Sequence, residues 1–164
     1  MLHHRPGFTL VETLIYTAFV GMIMTSMTLL VSATFTMRSK LRATVILDQN
    51  VRFAALRINA LVNEAGGMSA PSLASSSGTL VLTMTATSTN PTTIKNSGGI
   101  ITVTQGAGGS AQALTSDEVS FSNLTFTRVS STSAMVRMVM TASPRGSPSS
   151  YGTLTVTTTA AIRR

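Results

Sequence analysis

The sequence predicts an α+β protein, a long N-terminal helix packed on an antiparallel sheet, and three observations predict it. Residues 13–37 form a run of 25 without a charge or a proline. Apolar residues then recur at helical spacing as far as Ala65. Beyond Gly66-Gly67 the composition turns to Ser, Thr and Gly with β-branched residues in alternating segments. The chain of 164 residues is 43% hydrophobic and only 10% charged, apolar enough that a membrane segment is the first thing to seek.

Taken in order, residues 1–7 are a short leader with His3, His4 and Arg5, and Pro6-Gly7 breaks regular structure before the apolar run. Residues 8–37 read as a helix apolar all round. At 1.5 Å per residue the uncharged run covers a bilayer core of about 30 Å. Residues 38–65 continue the helix as an amphipathic stem. Leu47, Val51, Ala54, Ala55, Ile58, Leu61, Val62 and Ala65 make its apolar stripe, with Arg52, Arg57, Asn59, Asn63 and Glu64 between them. Asp48 and Arg52 are a favourably oriented i,i+4 pair.

No proline interrupts residues 8–65, Gly21 is the only glycine there, and Gly66-Gly67 followed by Pro71 supplies the stop. Such a rod is about 87 Å long. Half of it must therefore bury its stripe outside a bilayer, and residues 66–164 are the candidate cover. Segments 79–87, 99–105, 118–129, 134–142 and 152–162 read as five strands of one antiparallel sheet, with GAGGS, SSTS and SPRGSPSS as turns or loops. Poor order is expected around 88–97 and 107–112.

Glu12 is the odd residue of the apolar run, since an intramembrane carboxylate is costly and calls for a partner. The leader and the start of the apolar run carry a resemblance. Gly7-Phe8-Thr9-Leu10-Val11-Glu12, after a short basic leader and before an uncharged helix, resembles the class III signal of type IV prepilins and pseudopilins. More weakly, DQNVRFAALRINALVNEAGG and the closing TLTVTTTAAIRR resemble the stem end and last strand of minor pilins and J-type minor pseudopilins. The resemblance implies cleavage between Gly7 and Phe8 by a membrane prepilin peptidase, N-methylation of Phe8, and pairing of Glu12 with the Phe8 amine of a neighbouring subunit.

It also implies a pilin-like fold and a place in a type IV pilus or type II secretion-like filament. The partners would be other pilin or pseudopilin subunits, the prepilin peptidase, the assembly platform and membrane lipid. The protein would sit first in the cytoplasmic membrane as a single-pass protein with its C-terminal domain outside. More basic residues follow the span (Arg38, Lys40, Arg42) than precede it (Arg5), so charge alone favours the opposite orientation, and the resemblance sets this topology. The absence of a C-terminal Cys pair and of a stem proline favours a minor pilin or pseudopilin over a fibre-building pilin.

Other readings compete. The run could be a plain signal anchor with Glu12 reaching the headgroups, or a secretory signal cut after Ala33. The whole could be an anchored extracytoplasmic binding domain that never assembles, or a DNA-uptake pseudopilin with Arg128, Arg137 and Arg145 on one face. The net charge of +7 is scattered, and six Phe with two Tyr offer few stacking platforms, which argues against nucleic acid. Without cysteine there is no thiolate nucleophile or Cys-based metal site. Asp117-Glu118 reads as a solvated turn, His3 and His4 would leave with the leader, and no G-x-S-x-G occurs. The expectation is no enzyme activity, no cofactor and no metal.

Overall fold

The computed structural model describes residues 9–129, 134–146 and 151–163, so Gly7, Phe8 and the segments 130–133 and 147–150, where turns are expected, lie outside the described residues. The protein has an α+β fold. Helix α1 runs Leu10–Glu64, close to the predicted 8–65. Among the described residues nine strands follow: β1 (Ala65–Ala70), β2 (Ser76–Ser77), β3 (Thr79–Met84), β4 (Thr92–Ser97), β5 (Ile100–Gln105), β6 (Gln112–Ala113), β7 (Val119–Arg128), β8 (Met135–Pro144) and β9 (Leu154–Ala161). The chain divides into two compact units, Met1–Leu41 and Arg42–Arg164.

In the second unit the predicted stripe is the buried one. Leu47, Val51, Ala54, Ile58, Leu61, Val62 and Ala65 are buried and Ala55 is half-buried, while Arg52, Arg57, Asn63 and Glu64 stay exposed. The i,i+4 pair also forms, with Arg52 Nε 2.8 Å from Asp48 Oδ2. Both side chains are largely exposed, so the pair contributes only about 0.3–0.5 kcal/mol.

The single predicted sheet is instead two, ordered β1-β3-β4-β5-β6 and β2-β7-β8-β9, antiparallel throughout. Alternation tells which side chains face inward but not which strands are neighbours. Leu80, Leu82, Ile94 and Ile101 of the first sheet and Phe121, Phe126, Met138 and Met140 of the second join the α1 stripe in one core. Strand β7 touches β3, β4 and β5 and so couples the sheets.

Two further expectations fail. The helix does not end on a glycine cap; Gly66 and Gly67 lie in β1, which pairs with β3 through two register shifts. Residues 92–97, expected to be poorly ordered, form β4, hydrogen-bonded to β3 on one side and β5 on the other. In residues 107–112, Gly109 N–H donates to Gly106 C=O and Gln112 pairs with Val103 of β5, while the rest is exposed and outside any strand. The physical cause at β4 is the turn Gly98-Gly99, whose φ of 62° and 85° suits a two-residue hairpin that only glycine enters without strain. That turn is stapled to β7, because Phe121 N–H donates to Gly99 C=O (2.9 Å) and Asn96 Nδ2 donates to Phe121 C=O (2.7 Å).

One polar side chain ties α1 to the second sheet. Asn50 Oδ1 accepts from Ser116 N–H at 2.9 Å, just before β7, and Asn50 Nδ2 donates to Ile46 C=O at 3.0 Å. Next to it Thr115 Oγ1, buried, accepts from Ile101 N–H at 3.1 Å. Asn50→Ala is expected to lower unfolding stability by about 1–3 kcal/mol, because the Ser116 amide loses its acceptor in a part-buried site. Amide exchange at Ser116 checks the cause, and an unchanged rate in the variant would refute it.

Candidate functional site: the first half of the helix

Residues 10–40 of α1 are exposed along their whole length, apolar side chains included. Among the described residues nothing covers Leu14, Phe19, Ile23, Leu30 or Phe35. The helix is long and apolar enough to cross a membrane. Seven of its hydroxyls do not spoil that character, because they are satisfied within the helix. Thr13, Thr17 and Ser26 donate to the carbonyl three residues back, at 2.9, 3.0 and 2.9 Å. Thr25, Thr28, Thr34 and Thr36 donate four residues back, at 2.8 to 3.0 Å. In hydrocarbon an unpaired hydroxyl would be costly, and this back-bonding removes the penalty.

Glu12 sits in the first turn of α1, which starts at Leu10. Its own N–H donates to Thr9 Oγ1 at 3.3 Å and to Thr9 C=O at 3.1 Å, and Thr13 N–H donates to Thr9 C=O at 3.2 Å. Thr9 is therefore the N-cap, and Thr9-Leu10-Val11-Glu12 has the T-x-x-E spacing of a capping box. The Glu12 carboxylate is exposed and lies at the positive end of the helix dipole. The sequence reading missed the cap at Thr9, although the four-residue pattern was there to find it. Arg38, Lys40 and Arg42 are exposed and form a basic band after the apolar run.

Other sequence candidates are not brought together. Arg128 points to the inward side of β7, where Nη1 is 3.5 Å from Met68 C=O and Nε is buried. Arg137, opposite Thr127, is exposed on the other side of the sheet, and Arg145 Nη2 donates to Gly98 C=O at 3.1 Å near the far end of β8. The three arginines thus make no common face. Asp117 and Glu118 are exposed in a turn, and among the described residues no group of acidic or His side chains is arranged to hold a metal. No protein-family model, curated protein or solved structure matches the chain.

Proposed function

We propose that the protein is a minor pilin or pseudopilin: a membrane-anchored structural subunit, processed by a prepilin peptidase and assembled through its N-terminal helix into a type IV pilus or type II secretion-like filament. The observation that carries the reading is the division of one helix, beginning at Leu10 within the GFTLVE sequence, into an uncovered apolar half and a second half whose stripe is buried. A helix half left bare by its own protein needs hydrocarbon or other helices around it. A subunit of this kind supplies both in turn, bilayer before assembly and a bundle of like helices after it. Repeated head-to-tail contacts between such subunits do not close and so generate a fibre. Nothing in the reading requires catalysis by this chain; it is the substrate of its peptidase.

The N-terminus of protein recovered from its native membranes tests the proposal. Mass spectrometry is expected to find N-methylated Phe8. An intact Met1 would leave an unprocessed anchor, and a start at Thr34 would mean ordinary secretion; either would overturn the reading.

A further inference from the structure

Among the described residues the two sheets present four edge strands, and three are blunted by irregularity or shortness. β1 carries two register shifts in six residues, and β2 and β6 are two residues long. β9 differs from all of them. Its eight residues pair with β8 in unbroken register, from Met135↔Ala161 to Ala142↔Leu154, and contain no charge, glycine or proline. Natural sheets blunt edges by shortness, bulges, proline or lysine because an open edge templates another chain. β9 uses none of these devices.

The backbone groups that β9 leaves open can be assigned. Ile162 N–H donates to Ala134 C=O (3.1 Å) on the β9 side of β8, and Val129 N–H donates to Met135 C=O (2.9 Å) on the β7 side. Antiparallel pairing alternates, so the even residues of β9 bond to β8. Thr155, Thr157, Thr159 and Ala161 therefore turn their N–H and C=O groups to the free edge, where no strand pairs with them among the described residues. The apolar side is open as well: Leu154, Val156 and Ala160 are only half-buried, whereas Val136, Met138 and Met140 next to them on β8 are buried.

We propose that β9 pairs antiparallel with β9 of a second copy about a two-fold axis at Thr157, joining two four-stranded sheets into one of eight. The strand is complementary to itself in that register. Thr155 then faces Thr159 of the other copy, and such threonine pairs favour strand association. The paired strands themselves carry no charge, so no like charges face each other across the axis. In a chain of net charge +7, a neutral strand is where two copies can approach, while an acidic partner would select the charged surfaces. This pairing needs no filament and goes beyond assembly through α1.

The test uses the full-length protein in detergent micelles, where an introduced cysteine is unique because the chain has none. Facing residues of a hydrogen-bonded pair have Cα atoms about 5.5 Å apart, within disulfide reach. Thr157→Cys is expected to give a disulfide-linked dimer under mild oxidation. Thr155→Cys and Thr159→Cys are expected to do so when mixed but not alone, and Gln105→Cys, exposed at the end of β5, should not. Adding Thr157→Lys to the mixed pair places like charges on the axis and should lower its yield about fivefold. No dimer at Thr157→Cys, equal yields at Gln105→Cys, or indifference to the lysine would each overturn the proposal.

Discussion

Phe126→Ala is expected to lower the stability of the unit Arg42–Arg164 by about 3–5 kcal/mol, the range for deleting a buried aromatic ring. Phe126 is 0% exposed and lies on β7, opposite Met138 of β8 and Ser77 of β2. It is among the largest fully buried side chains, on the strand that touches three strands of the other sheet. Removing it withdraws contacts from both sheets and leaves a cavity that the surrounding strands close only in part. Against a total of about 5–15 kcal/mol for a domain, that loss is large. Leu56→Ala is the control: at 69% exposure on the uncovered side of α1 it should stay within about 0.5 kcal/mol of the parent. Guanidinium unfolding of the full chain in detergent, followed by far-ultraviolet circular dichroism, reads both. A Phe126→Ala midpoint no lower than that of Leu56→Ala would refute the packing described for β7.

The contrast between Phe126 and Leu56 shows what periodicity makes legible. The helix stripe was readable because its six buried positions recur at three- and four-residue spacing with charges between them. Strand β3 was readable because Leu80, Leu82 and Met84 alternate with threonine or valine. Strand β4 was not, since Thr92-Thr93-Ile94-Lys95-Asn96-Ser97 has only one apolar residue. Its other inward position is Thr92, buried with its hydroxyl donating to Thr89 C=O at 2.7 Å. A local hydrogen bond there replaces the apolar side chain that pattern reading looks for. Gly66-Gly67 misled in the opposite way, because a glycine pair signals a helix stop whether the chain turns or runs on extended, as it does into β1.

The site divides along the same line. Glu12 stood out because charge in an apolar run is conspicuous, and the uncovered helix half followed from composition. The cap at Thr9 was masked by overlap, since one short stretch carries both a T-x-x-E pattern and the Phe-Thr-Leu-Val-Glu series. The link from Asn50 to Ser116 spans 66 residues of sequence and leaves no local pattern at all.

That double use of residues 9–12 shapes the most informative functional test. In the proposed filament the Glu12 carboxylate pairs with the Phe8 amine of a neighbour, yet its backbone N–H is bonded to the Thr9 cap and its side chain stands at the capping-box position. Glu12→Gln separates the roles, because glutamine satisfies a capping box at this position but carries no charge. It is expected to be processed to Phe8 normally and to enter filaments poorly. Leaving a buried amine unpaired costs about 3–5 kcal/mol, a deficit of more than about a hundredfold in incorporation. Thr9→Ala keeps the carboxylate and removes the cap, worth about 1 kcal/mol; incorporation should fall only about fivefold. The ratio of subunit in sheared filaments to subunit in membranes measures both, with the N-terminal mass confirming processing. Glu12→Gln incorporation equal to the parent would leave Glu12 as a capping residue alone. A Thr9→Ala defect as deep as that of Glu12→Gln would place the requirement in the helix start instead of the charge.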